Sequence, residues 1–172
     1  MTGEFSRRSF LKYTALTAVA VAGSSLLSGC EYGYNPVQHA PGTSNVVLKV
    51  RSTLDRVEYN KYNNTTAFRL AITCGRKNAL EVTKANFAVK AAEGYLAYQN
   101  DKLQVNYPDA LSYQVKQGET LICTVFAKDL NALTDGPVTL TYYPDLQYSE
   151  FSANWELDAD VLEPELPGTS TN

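Results

Sequence analysis

Apolar and polar residues alternate with a period of two along much of this chain, and this alternation constrains the fold more than any other feature. Segment 138–142 alternates apolar residues with threonines, and segment 151–158 alternates as regularly around Trp155. Segments 46–51 and 68–74 follow the same pattern. Side chains on a β-strand point alternately to its two faces, so each run predicts a strand with one buried face. We therefore expect an all-β fold.

Turn signals separate these runs at spacings typical of a sandwich. Gly and Asn residues lie between the alternating segments, which predicts an antiparallel β-sandwich of about seven strands between Val46 and Asp158. Segment 120–127 is apolar on both faces, as expected for a covered central strand. Segment 79–100 is alanine-rich and also fits a helical face. We favour strands at 83–91 and 95–99 for it.

The N-terminal region carries an export signal. Residues Ser6–Lys12 closely resemble the twin-arginine signal, which directs folded proteins across the bacterial cytoplasmic membrane. The informative positions of that motif are Arg7, Arg8, Phe10 and Leu11. An uncharged stretch follows and ends at Cys30, as expected for a cleaved secretory signal.

The end of that stretch resembles the bacterial lipobox. Residues Leu27–Cys30 read Leu-Ser-Gly-Cys, and the resemblance implies that Cys30 receives a lipid and becomes the first residue after cleavage. The alternative is an uncut transmembrane anchor. However, the uncharged run from Tyr13 to Gly29 has 17 residues, whereas a membrane span needs about 20 apolar ones. We therefore expect a lipid-anchored protein at the extracytoplasmic face of the cell membrane.

Composition divides the chain into four parts. They are a signal peptide at 1–29, a lipidated cysteine with a flexible tether at 30–45, a β-sandwich domain at 46–158, and a disordered acidic tail at 159–172. The tether is predicted from glycine, proline and small polar residues. The tail is predicted from its acidic, proline-containing sequence.

The charge of the mature chain excludes two classes of partner. Removal of residues 1–29 takes away three basic residues and one acidic residue, so the formal charge changes from −3 to −5. An acidic domain lacks the basic surface that binds nucleic acid. It also lacks a polybasic patch for anionic lipids, so membrane association is expected to depend on the lipid at Cys30.

Three segments of the predicted domain resemble a known family. Residues Asn86–Tyr95, Gln117–Ala127 and Val138–Tyr142 look like a family of small immunoglobulin-like domains of unknown function, which are common on exported bacterial lipoproteins. The resemblance implies an immunoglobulin-like β-sandwich and no established activity.

The cysteines divide by function. With Cys30 lipidated, Cys74 and Cys123 remain as a pair in an oxidising compartment, which predicts a disulfide between them. The alternative is two buried free thiols that behave as small hydrophobic residues.

Groups that would support catalysis or hold a cofactor are scarce in the sequence. His39 is the only histidine and lies in the predicted tether, and no nucleotide-binding or hydrolase motif is present. The tail acids lack the glycine-turned loop of a calcium site. We therefore expect no enzyme, no metal and no cofactor.

Tyrosine is in excess, which favours recognition. Tyrosine gives a large contact area with few rotatable bonds, although it is also a common strand residue whose ring packs while its hydroxyl stays solvated. We expect a non-enzymatic binding module for a protein or an envelope polymer. The alternatives are an accessory subunit of an envelope assembly and, more remotely, an unrecognised hydrolase. The predicted binding face comprises Tyr59, Tyr62, Tyr95, Tyr98, Tyr107 and Tyr113.

Overall fold

The structure, a computed structural model, describes residues 35–91, 96–98 (backbone only), 102–106 and 112–161. Twelve β-strands and three short 3-10 helices occupy these ranges, which contain no α-helix. In chain order the strands are β1 (Val37–Gln38), β2 (Thr43–Val47), β3 (Val50–Asn60), β4 (Thr65–Cys74), β5 (Leu80–Thr83), β6 (Phe87–Lys90), β7 (Leu96–Tyr98), β8 (Leu103–Asn106), β9 (Ser112–Val115), β10 (Thr120–Lys128), β11 (Val138–Tyr142) and β12 (Ala153–Leu157). The 3-10 helices are Lys84–Asn86, Leu146–Tyr148 and Ala159–Val161.

The strands form two five-stranded sheets and one small pair. The front sheet has the order β2-β3-β4-β10-β8, and the back sheet has the order β1-β12-β11-β6-β7. Strands β5 and β9 pair separately. All pairings are antiparallel except the one between β1 and β12, which is parallel. The all-β prediction is confirmed, but the structure has more strands than the seven expected.

One hydrophobic core lies between the two sheets. The front sheet contributes alternate residues of β4, such as Phe68 and Leu70, and the back sheet contributes Leu140 and Trp155. Trp155 is fully buried, as its alternating neighbours predicted, and its indole Nε1 donates a hydrogen bond to the Thr43 carbonyl at 3.4 Å. This bond links the back sheet to the front sheet.

The predicted tether is too long, because residues 35–45 belong to the folded domain. The Asn35 side chain accepts a hydrogen bond from the Ser152 amide, and the Pro36 carbonyl accepts one from the Asn154 amide. Asn45 is buried and donates to the Asn154 carbonyl. Polar residues within 35–45 thus bond to the start of β12. At the other boundary, Val161 still packs against the core, so the domain continues past Asp158.

The strand expected at 46–51 is a tight hairpin instead. Leu48 and Lys49 have φ values of 50° and 61°, and they join β2 to β3 where Val47 pairs with Val50. Two successive residues with positive φ define a type I′ turn, which normally selects Asn-Gly. The sequence Leu-Lys carries no such signal. The apolar–polar alternation also continues through the turn, so the sequence pattern predicted one uninterrupted strand.

The strand interpretation of segment 79–100 is confirmed where the structure describes it. Strand β5, a 3-10 turn at Lys84–Asn86, β6 and the backbone of β7 follow one another. Strand β10 is central in the front sheet, as predicted, but it is covered on only one face. Its outward residue Ile122 is 41% exposed, whereas Leu121 and Cys123 point inward and are buried.

The domain has two distinct ends. One end, which we call the anchor end after the lipid anchor expected upstream at Cys30, comprises Asn35, the Leu48–Lys49 turn, loop 75–79 and loop 143–152. These parts are joined by hydrogen bonds from Gly75 to Lys49 and from Arg76 to Leu48 and Asp145. The distal end comprises turn 61–64 and loop 129–137, which are joined by the bond from Leu130 to Asn64.

Candidate binding face

Several predicted functional residues lie outside the described ranges. They are Arg7, Arg8, Phe10, Leu11, Cys30, Tyr95 and Tyr107. Tyr98 belongs to β7, where only the backbone is described. The export and lipidation motifs therefore remain predictions from the sequence.

The predicted disulfide between Cys74 and Cys123 is wrong, because both cysteines are free and buried in the structure. They lie on neighbouring strands of the front sheet, but Cys123 pairs with Leu70, four residues away from Cys74 along β4. That offset corresponds to about 13 Å at the usual rise of a strand. A disulfide needs Cα atoms within about 7 Å.

The two thiols have the surroundings of structural cysteines. Burial raises the pKa of the Cys123 thiol from 9.0 to about 12, so the group stays protonated at neutral pH. The Cys74 Sγ lies 3.7 Å from the Asn78 carbonyl oxygen and 3.8 Å from that of Arg76. Since the thiolate is the reactive form, Cys123 should react slowly in the folded domain.

The described tyrosines of the predicted binding face do not form one cluster. Tyr59 lies at the end of β3 and donates a hydrogen bond to Asn64, and Tyr62 is 89% exposed in the adjacent turn. Tyr113 lies on β9, which leads into the start of β10, whereas turn 61–64 adjoins the far end of β10. Strand β10 spans about 26 Å between these positions. Only Tyr59 and Tyr62 are therefore neighbours.

A β-bulge on β3 creates an arginine pair that the sequence interpretation missed. The register between β3 and β4 shifts at Asp55, so that Arg56 lies directly opposite Arg69. Directly paired strand residues have Cβ atoms about 5 Å apart. Without the extra residue, Asp55 would face Arg69 and Arg56 would point into the core. The bulge thus turns a second guanidinium group onto the outer face of the front sheet.

The bulge has a signal in the sequence. Buried Leu54 and Val57 are three positions apart, with two polar residues between them, so the period of two is broken there. An interrupted alternation inside a long strand is typical of a bulge.

Each arginine of the pair already contacts a carboxylate. Arg56 Nη1 lies 2.9 Å from Glu58 Oε1, and Arg69 Nε lies 3.5 Å from Asp55 Oδ2. All four side chains are partly exposed, and exposed ion pairs of this kind contribute about 0–1 kcal/mol. These contacts are therefore weak, and an anion of a ligand could replace either carboxylate beside its guanidinium group.

The arginine pair borders a shallow cleft of about 360 Å³ on the outer face. Asn106 and Thr124, which pair across β8 and β10, add an amide and a hydroxyl group, and Ile122 adds an apolar surface. The outward-facing charged residues of the front-sheet strands are four basic and two acidic: Arg51, Arg56, Arg69 and Lys128 against Asp55 and Glu58. This face is therefore positive on a chain whose formal net charge is −3.

A second cleft, of about 340 Å³, lies at the anchor end. Its most buried charged groups are Arg76 and Asp145, whose Nη1 and Oδ2 atoms are 3.0 Å apart. Arg76 also donates from Nε to the Leu48 carbonyl at 2.9 Å. Asp145 accepts from the Gln147 amide and so begins the 3-10 helix Leu146–Tyr148. These bonds give both residues a structural role in fixing loop 143–152.

Neither a metal-ligand cluster nor a membrane-spanning helix lies within the described ranges. No group of three or more His, Cys, Asp or Glu side chains there could hold a metal ion. His39 is exposed beside β1. None of the helices in this part of the chain is long and apolar enough to cross a membrane.

Comparisons with known proteins give two distant structural likenesses. No protein-family model matches the chain, and no curated protein matches it. The crystal structure of YjhA from Bacillus subtilis matches 70% of this chain and all of its own chain, with 9% identity and a TM-score of 0.49. The crystal structure of the candidate lipoprotein YcdA from Bacillus subtilis subsp. subtilis strain 168 matches 72% of this chain and 40% of its own, with 14% identity and a TM-score of 0.45. Likenesses at this level carry no functional argument.

Proposed function

We propose that the protein is a lipoprotein exported by the twin-arginine route and held at the extracytoplasmic face of the cell membrane by a lipid on Cys30. There it acts as a non-enzymatic binding module. The outer face of the front sheet contacts a protein or envelope polymer that presents carboxylate or phosphate groups. The location rests on the Ser6–Lys12 and Leu27–Cys30 motifs.

An immunoglobulin-like ancestry for the domain has support from strand order. In immunoglobulin domains one sheet has the order A-B-E-D and the other contains G-F-C, with C′ added in variable-type domains. Here the front sheet contains the order β3-β4-β10-β8, which corresponds to A-B-E-D. The back sheet contains the order β12-β11-β6-β7, which corresponds to G-F-C-C′. On this interpretation, β1, β2, β5 and β9 are additions to the common framework.

The observation that carries the binding proposal is the opposition of Arg56 and Arg69. Like charges directly across a strand pair destabilise a sheet, so an evolved sequence has little structural reason to place them there. A guanidinium group presents parallel N–H donors that match carboxylate and phosphate oxygens. An anionic group of the partner, bound between the two arginines, would contact both guanidinium groups at once, whereas Glu58 contacts Arg56 and Asp55 contacts Arg69.

The local binding step can be tested with simple anions. We would follow the arginine Nε–H signals of the ¹⁵N-labelled mature protein by NMR while adding inorganic phosphate or acetate. The signals of Arg56 and Arg69 should shift together and saturably, and that of Arg51, on the same face but outside the cleft, should not. Equal, non-saturating shifts of all three would mean general ionic screening and would contradict a built site.

The cellular partner requires a second experiment. Cross-linking on intact cells should capture a partner with the lipidated wild type, and the double variant Arg56→Gln, Arg69→Gln should lose most of it. The matched control is Arg51→Gln, which removes a positive charge from the same face and should retain capture. Capture that survives the double variant would refute the arginine pair as the contact.

The accessory-subunit alternative is supported by the exposure of Ile122 on the same face. A permanent neighbour would cover this apolar residue, since buried interface cores are depleted of charge and enriched in apolar groups. Under that alternative, Ile122→Ser should weaken capture more than the arginine double variant does.

A further inference from the structure

The folded domain begins very close to the proposed lipid. Asn35 is fixed by accepting a hydrogen bond at 2.9 Å from the Ser152 amide, and Pro36 is bonded to Asn154. Cys30 precedes Asn35 by five positions. Even fully extended, this length of chain spans no more than about 17 Å. The headgroup layer is itself about 5–7 Å thick, so the anchor end of the domain must lie close to the bilayer.

Exposed apolar side chains lie at this same end. Leu146 is 48% exposed and Tyr148 is 51% exposed, and both belong to the 3-10 helix of loop 143–152. The Tyr148 carbonyl accepts a hydrogen bond from the Phe151 amide, and the next residue, Ser152, bonds to Asn35. A single turn therefore separates the exposed pair Leu146 and Tyr148 from Asn35, where the chain continues toward Cys30.

The loop that carries this pair is held rigidly. Asp145 caps its 3-10 helix and pairs with Arg76, and Arg76 is bonded in turn to the Leu48 carbonyl of the β2–β3 turn. Lys49 in that turn and Lys77 in the adjacent loop are exposed. This fixed end surface thus presents apolar and basic groups together with the exposed carboxylate of Glu150.

We propose that the anchor end is a membrane-contact surface, with Leu146 and Tyr148 seated in the lipid headgroup layer. This inference rests on the proposed lipidation of Cys30. Tyrosine favours the membrane–water interface, where its ring and hydroxyl group find suitable surroundings together. Exposed lysines near an anionic leaflet are attracted to its lipid headgroups. The lipid makes the encounter intramolecular, so weak contacts suffice to orient the domain.

This orientation places the distal end outward. Strand β4 has ten residues and spans about 30 Å between the two ends. Tyr62, in turn 61–64, is therefore directed away from the bilayer. The arginine pair lies between the ends, on a face left open to partners.

The test uses the full mature lipoprotein reconstituted into vesicles of phosphatidylcholine and phosphatidylglycerol. A polarity-sensitive fluorophore is attached to Tyr148→Cys and, as the matched control, to Tyr62→Cys. Cys74 and Cys123 are buried and do not compete for the label. At position 148 the emission should shift to shorter wavelength and be quenched by nitroxide-labelled lipids, whereas at position 62 it should stay water-like.

Equal, water-like emission at both positions in vesicle-bound protein would overturn the membrane contact while leaving the lipoprotein proposal intact. Failure of the protein to float with the vesicles would instead overturn the lipidation and the contact together. Leu146→Cys is a second reporter at the same surface, and it should behave like Tyr148→Cys if that variant folds poorly.

Discussion

Substitution of Lys49 by glycine should stabilise the domain, although it removes a side chain from a well-formed turn. Lys49 holds a φ of 61°, a conformation that costs an L-residue about 1–2 kcal/mol and glycine almost nothing. Glycine adds about 0.5–1 kcal/mol of conformational entropy to the unfolded chain, so the midpoints of the two ranges give a net gain of about 0.75 kcal/mol. The hydrogen bond from the Gly75 amide to the Lys49 carbonyl involves only the backbone and is retained.

Calorimetry and urea denaturation measure this gain. For a domain spanning residues 35–161, the unfolding entropy is about 0.27 kcal/mol/K, so Tm should rise by about 2–4 °C. Lys49→Ala removes the same charge without relieving the backbone and should not stabilise. If Lys49→Gly is no more stable than Lys49→Ala, the assigned turn conformation or its cost is wrong.

The other predictions concern the core, the thiols and export. Trp155→Ala should destabilise the domain by about 3–5 kcal/mol, because the indole is fully buried and its removal leaves a cavity, and urea denaturation measures the loss. In the folded protein Cys123 should react with a thiol reagent on the order of a thousandfold more slowly than an ordinary cysteine, because its pKa is about 12. In urea without reductant, both Cys74 and Cys123 should titrate as free thiols, and finding none would restore the disulfide. Replacement of Arg7 and Arg8 by Lys should leave precursor in the cytoplasm on fractionation, whereas unchanged export would indicate the general secretory pathway.

Sequence patterns predicted the elements that depend on regular burial. The alternation of 138–142 and the burial of Trp155 are confirmed because one face of each strand packs against the core. The pattern failed at Leu48–Lys49, since tertiary hydrogen bonds to both carbonyls hold a turn that the residues themselves disfavour.

The sequence alone did not predict the features that depend on the register between paired strands. Cys74 and Cys123 both point into the core, as predicted, but the pairing of β4 with β10 sets them four residues out of step. The Asp55 bulge likewise determines which arginine faces outward. Residues 35–45 resemble a linker in composition, but the pairing of β2 with β3 and the bonds to Ser152 and Asn154, more than 100 positions away, make them part of the domain.

The lipid anchor on Cys30 can be tested by the mass of the mature protein's N-terminal peptide. Protein isolated from the membrane fraction of its native cells would be digested and analysed by mass spectrometry. We expect Cys30 to be the first residue and to carry a diacylglycerol on its sulfur. A mature chain that begins upstream of Cys30, or a Cys30 with a free thiol, would contradict the lipid-anchored location and every inference that depends on it.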